Sequence, residues 1–293
     1  MPFKALLSRE RSDSRATSLA GFDEYDLIPA EVSVDIDYSS FKYTGSRALR
    51  NRSPVIRQFP LIPGIHLAGR GKSMLHPGFA AGERVVVNRR GLRQIHHGGF
   101  VQKAREPSEW LIKLPPAFPM RDAMAVSIAG YTAMLSVLVL EHAGGTPDAD
   151  DVLVAAAPSG GAGSVAIALL SQLRCRIVAP TGPHDETAYL KALGTSGVID
   201  RRTFSEANGA IAEECWAAAI DSVSSRTLPN ALPKTRYGGA AAGLGLAQGA
   251  DISASALPFI LRNVTLTSIG SAHTPRRGSE LHLPIYACGR RAA

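Results

Sequence analysis

The sequence predicts an α/β protein in which a β-rich first part precedes a doubly wound parallel sheet. Three observations predict it: apolar and polar residues alternate in the first third, strand–turn–helix units repeat after residue 151, and the composition suits a large core. Of 293 residues, 45% are hydrophobic and 19% charged, unlike either a disordered chain or a membrane bundle. The length suggests about two domains.

In order along the chain, FKALLS near the start reads as a strand. In EVSVDIDY, Val32, Val34, Ile36 and Tyr38 alternate with Ser33, Asp35 and Asp37, which sets one side of a strand on a core. RVVVN at 84–88 reads as another strand, while GIHLAGRGK and PGFAAGER carry the Gly and Pro of turns. Ala123 to Leu140 holds no charge, and its Ala content and interspersed Ser, Gly and Thr predict a buried helix between domains, not a bilayer span.

The polar segment EHAGGTPDADD ends that helix, and the pattern then changes. VLVAA at 152–156 suits a strand buried on both faces. GSVAIALLSQL follows as a helix with Val165, Leu169 and Leu173 on one face. RIVA at 176–179 and ETAYLKAL repeat the unit, with Gly194 just past the helix end. VID, AAIDSV and GGAAAGLGLAQG continue the alternation expected of a parallel, doubly wound sheet. The domains are taken as 1–122, β-rich; 123–275, nucleotide-binding; and 276–293, an atypical tail.

Thirty-two basic and 25 acidic side chains leave a charge of +7, with arginines gathered in SRALRNRSPVIR and NRRGLR. Such a field can steer an anionic ligand toward a cleft, with a solvated basic surface as the plainer reading, and without aromatic interleaving or a zinc finger nucleic acid is not expected. Three scattered cysteines, Cys175, Cys215 and Cys288, make neither a disulfide framework nor a metal knuckle, and fit a cytoplasmic setting. The N-terminus lacks a secretory apolar run. No metal site is expected: His66, His76, His96 and His97 are read as loop residues in surface or structural roles, and no Cys precedes Cys175.

The chemistry-bearing segment is AAAPSGGAGS, residues 155–164, between a buried strand and a helix. Glycines there let the backbone approach a pyrophosphate, which the free N–H groups and positive dipole end of a helix hold. Ala157 stands where the pattern's first glycine usually does. At the end of the second strand, Pro180, Thr181, Gly182 and Pro183 leave no acid for a ribose hydroxyl. Thr181 and Arg201 instead offer donors to a 2′-phosphate, favouring NADPH over NADH. A tight turn without a ligand remains the plain alternative.

The motifs SSFKY, FPLIPGIHLAG, AGYTAM, SGGAGS, YLKALG, AAIDSV and LPFILRNV, in that order over residues 3 to 275, resemble the acryloyl-CoA reductase, quinone oxidoreductase-like branch of the zinc-free medium-chain dehydrogenase/reductases. The resemblance implies a GroES-like β-domain, a Rossmann domain, bound NADPH, a small-molecule substrate and hydride transfer to an activated C=C bond. It further implies cofactor contacts at Tyr43, Ser159, Gly160, Gly161, Ala162, Thr181, Gly182, Arg201, Leu246 and Ile260, and Tyr43 as the residue that orients or protonates substrate. A homodimer is left open, with no membrane partner. The chain departs from the family at Phe41, Lys42, Thr44 and Gly45, at His66 in place of an acid, at Pro183 in place of an arginine, and in its last 18 residues. Lys42, next to Tyr43 on an extended segment, is expected to point away from it. Arg50 and Arg52 offer contacts to a CoA phosphate.

Two rival functions follow from the same residues. A degenerate homologue without turnover would explain the altered motifs and tail. A serine hydrolase would use Ser159 on its strand-to-helix turn, with Asp221 and His273 following in the order Ser, Asp, His.

Overall fold

The computed structural model describes residues 2–11, 14–42, 45, 56–74, 76–143, 152–155, 157–182, 186–206 and 209–271. These form two compact units, one running to Ile128 and the other from Ala129 to Ser271.

The first unit opens with an antiparallel hairpin of β1 (Phe3–Arg11) and β2 (Ser14–Phe22). Phe3, Ala5 and Leu7 alternate into a core with Phe22, Leu27, Ile62 and Val101. A five-stranded antiparallel sheet follows, built from β3 (Val32–Tyr38), β4 (His66–Met74), β5 (Arg84–Asn88), β6 (Lys103–Glu106) and β7 (Leu111–Lys113), in the order β6-β3-β4-β5-β7.

Two expectations change here. The alternation in EVSVDIDY buries Val32 and Val34 but leaves Tyr38 45% exposed, because the register with β4 shifts between Ile36 and Tyr38. The segment GIHLAGRGK is strand rather than turn, since β4 runs through it. Gly69 serves a close approach: a Cβ on it would overlap the Asp35 carbonyl oxygen of the irregular β3, so this glycine marks a strand irregularity and not a chain reversal.

The uncharged segment lies within α1 (Met120–His142), kinked at Ser127 with φ 38° and ψ −145°. By length and composition α1 is apolar enough to cross a membrane, yet 61% of its most apolar stretch is buried, as in the core helix of a globular unit. The division between units falls one residue past the kink, inside α1.

The second unit is a six-stranded sheet of β8 (Val152–Ala155), β9 (Ile177–Thr181), β10 (Gly197–Asp200), β11 (Trp216–Asp221), β12 (Thr235–Gly243) and β13 (Thr265–Ser268). Every pairing is parallel, and the order is β10-β9-β8-β11-β12-β13. Numbered from β8 this is 3-2-1-4-5-6, the doubly wound dinucleotide-binding order, which places ligands beyond the strands' carboxyl ends. Its helices include α2 (Gly161–Gln172), α3 (Glu186–Ala192), α4 (Thr227–Ala231) and α5 (Leu257–Arg262). Past α3, the Gly194 N–H bonds the Lys191 carbonyl and the Thr195 N–H that of Leu190, the paired closure the sequence predicts at Gly194.

The buried face of α2 is not the expected one. Only Leu169 of the predicted stripe is fully buried; the stripe runs through Gly163, Ala166, Ile167 and Leu170. The preceding turn fixes this rotation, because α2 lies on it through Gly163.

Candidate functional site

Beyond β8 the chain turns left-handed at Ala157, φ 49°, a conformation costing an alanine about 1 kcal/mol. The Gly160 N–H closes the turn on the Ala157 carbonyl at 2.8 Å, and α2 starts at Gly161 with no side chain capping it. A Cβ on Gly163 would overlap the Ala157 carbonyl oxygen and stand 2.8 Å from the Pro158 Cα. Gly163 thus lets the helix sit on the turn, and Ser159, Gly160, Gly161 and Ala162 lie where the first N–H groups of α2 emerge. Such an end suits a pyrophosphate.

Thr181 ends β9, the strand beside β8, and Gly182 follows it. Arg201, just past β10, lays its guanidinium on Gly182: a Cβ there would stand 2.8 Å from Nε and 2.9 Å from Cζ. Thr181, Gly182 and Arg201 line one cavity of about 850 Å³ with Thr187 and Lys191. Arg202 is engaged by Asp200 through Nε at 2.7 Å.

One expectation is corrected at this point. The sequence reading leaves the end of the second strand without an acid, yet the fold returns one: the Thr181 hydroxyl donates to Glu186 Oε2 at 2.6 Å. The proton expected to meet a phosphate is already placed. Glu186 escapes a strand-end search because it belongs to the first turn of α3, five residues on.

Leu246 follows the carboxyl end of β12 and is 58% exposed; Ile260, on α5, is 74% exposed. The foot of α5 is tied by Arg262, which donates to the carbonyls of Pro233 at 2.7 Å and Ala212 at 2.6 Å. Tyr43, Arg50, Arg52, Pro183, His273 and the 276–293 tail lie outside the described residues. Asp221, the acid of the hydrolase reading, is buried at the end of β11 and accepts from the N–H groups of Ser224 at 2.6 Å and Val223 at 3.3 Å. Burial pushes its carboxyl up to about 6 against these two bonds. It serves its own loop.

The first unit holds a second polar group that sequence reading missed as a group. The kink at Ser127 interrupts the helical hydrogen-bond ladder and strands the carbonyls just before it. Ser40 Oγ donates to the Met124 carbonyl at 2.6 Å and Lys42 Nζ to that of Ala125 at 3.0 Å. Having spent its one proton, Ser40 Oγ accepts from His66 Nε2 at 2.7 Å, which assigns the Nε2–H tautomer. His66 is fully buried, and its Nδ1 has no hydrogen-bond partner among the described residues. Burial first, and the Lys42 charge second, pushes the imidazole down to about 3, so His66 is neutral. It begins β4 and is no loop residue; His96 and His97 are buried as well. Among the described residues no three His, Cys, Asp or Glu side chains converge as metal ligands.

Comparison with known proteins supplies the family. Over 272 residues the chain is 39% identical to a protein of Escherichia coli (strain K12) described as "Probable acrylyl-CoA reductase AcuI", covering 93% of this chain and 83% of the relative. This chain belongs to the acrylyl-CoA reductase, quinone oxidoreductase-like branch of the medium-chain dehydrogenase/reductases. Residues 161–281 match the family described as zinc-binding dehydrogenase. Among solved members of this branch, E. coli K-12 YhdH with bound NADPH superposes with a TM-score of 0.92 at 37% identity, over 97% of this chain and 87% of that one. Bacillus subtilis yhfP with NAD bound gives 0.90 at 31%, over 100% and 88%. The GroES-like plus Rossmann architecture and the oxidoreductase class follow from this membership, which speaks against the hydrolase reading of Ser159.

Proposed function

We propose that the chain is an NADPH-dependent reductase acting on an activated carbon–carbon double bond, in acryloyl-CoA or in an enone or quinone-like molecule. The observation that carries this reading is the uncapped turn from Ala157 to Gly163 beside the Thr181, Gly182 and Arg201 cradle, at the carboxyl edge of a 3-2-1-4-5-6 sheet. The described residues fit the nucleotide: the backbone N–H groups of Ser159, Gly161 and Ala162 would hold the pyrophosphate, and Arg201, lying over Gly182, would supply charge to the 2′-phosphate. Leu246 and Ile260, both exposed, would contact the nicotinamide half.

When bound, NADPH supplies a hydride to the electrophilic β-carbon. The chain's own task is mainly positioning, with the reacting atoms held about 3–3.5 Å apart. Tyr43 orients the substrate or returns a proton to its α-carbon. His66, neutral and with its Nε2 proton on Ser40, holds the Ser40 segment that leads to Tyr43 rather than serving as an acid. Arg50 and Arg52 meet the phosphates of a CoA thioester, and the protein works in the cytoplasm.

The test is a titration of purified protein with NADPH, followed by nucleotide fluorescence, then turnover with acryloyl-CoA, enones and quinones. Binding with turnover of at least one of these supports the reading. Folded protein that binds no nucleotide would leave a degenerate homologue, and R50A/R52A should raise KM for the thioester far more than for a quinone.

A further inference from the structure

The acid returned to the end of β9 has a consequence for nucleotide choice. Glu186 is half-buried at the start of α3, and its Oε2 sits 2.6 Å from the Thr181 hydroxyl oxygen. That contact holds a carboxylate at the strand end where doubly wound folds receive the adenosine ribose. Arg201 stands over the neighbouring Gly182, so one cation and one anion flank the same position. A 2′-hydroxyl is suited to such a pair, because it can donate to the carboxylate. A 2′-phosphate gains from Arg201 but meets a like charge at Glu186, and it finds the Thr181 proton already committed.

We propose that Glu186 is a selectivity residue of the nucleotide site: its carboxylate, held on Thr181, accepts from the ribose 2′-hydroxyl of NADH and opposes the 2′-phosphate of NADPH, so that the chain binds both nucleotides with little preference. The inference rests on the nucleotide-site reading above and adds the balance between its two ligands. Juxtaposed like charges in a binding site cost at least about tenfold in affinity, which sets the size of the effect.

Dissociation constants for NADPH and NADH, read by nucleotide fluorescence on wild type, Glu186→Gln and Glu186→Lys, test it. The wild type is expected to hold the two within about tenfold of each other. Gln keeps a polar group on Thr181 without the charge, and should tighten NADPH about tenfold while weakening NADH. Lys should move the ratio further the same way. A wild type that already prefers NADPH more than a hundredfold, or a ratio unmoved in both variants, overturns the role of Glu186 and leaves the nucleotide site standing. Absence of binding of either nucleotide by folded wild type overturns the site and the inference together.

Discussion

The two units carry their polar chemistry in opposite ways. In the second, the turn from Ala157 to Gly163 works through backbone N–H groups and through the lack of a side chain at Gly163, with exposed charges only at its rim. In the first, Ser40, Lys42 and His66 form a group made of side chains and folded over a kinked helix. A backbone site tolerates changed residues as long as its shape holds, as the left-handed Ala157 illustrates. A side-chain site changes chemistry with each residue. His66 sits neutral against Ser40, and Lys42 braces α1 where it breaks. The contrast teaches that the turn depends on backbone shape, whereas the Ser40, Lys42 and His66 group depends on the identity of each side chain.

The comparison is broken most severely at Gly163. Gly163→Val places two methyl groups and a Cβ against the Ala157 carbonyl, which is backbone and cannot turn aside. Nucleotide affinity should fall at least about a hundredfold and stability by about 1–3 kcal/mol, read by fluorescence titration and thermal melting. Retained affinity would mean that the turn holds nothing.

Much of this was legible in the sequence, for identifiable reasons. VLVAA, the glycine turn and Gly194 are local signals, and each lies in the structure where the pattern puts it. Four features were not legible. Gly69 of β4 looks like a turn residue because its reason is the Asp35 carbonyl on another strand. The rotation of α2 is fixed by Gly163 against the turn and not by its Leu and Val spacing. Neither the return of Glu186 to Thr181 nor the break at Ser127 within an apolar run has any sequence signal. The polar group of the first unit depends on that break, and so was read only as separate residues.

Titration sharpens the contrast next. His66 lies at about 3 in the folded protein against 6.5 ordinarily, so the unfolded chain binds the extra proton first. Its effect on stability is absent above pH 6.5 and grows as a loss as pH falls toward 3. At pH 5 the loss is about 2 kcal/mol. His66→Gln, which can still donate to Ser40, should lose less stability than wild type between pH 7 and pH 5 in denaturant melts. Equal losses would mean that His66 titrates normally.

Asp221 in the second unit has the opposite sign. Burial raises it to about 6 from 3.8, so the folded form takes up the proton first and stability rises as pH falls through that window. Between pH 7 and pH 5 the gain is about 1 kcal/mol. Asp221→Asn should abolish it, and the amide oxygen can still accept from Ser224. Glu106, also fully buried and pushed up, acts in the same sense from the first unit. For that reason each effect is read as wild type against its own variant, not as a whole-protein pH curve.

The smallest effect separates the two causes at His66. Burial is the larger and the Lys42 charge the lesser, so Lys42→Met should move the His66 titration back toward its ordinary range by less than about one pH unit, worth under about 1.4 kcal/mol. The acid loss in the melts then still begins near 6.5, levels off at slightly higher pH and keeps most of its depth. A full return to ordinary titration in Lys42→Met would mean that charge, not burial, holds the ring neutral. The first unit would then be an electrostatic site whose chemistry follows salt and substrate charge, instead of a closed side-chain group set by packing. Raising ionic strength would mimic the substitution in that case, because screening weakens a charge interaction and leaves burial untouched.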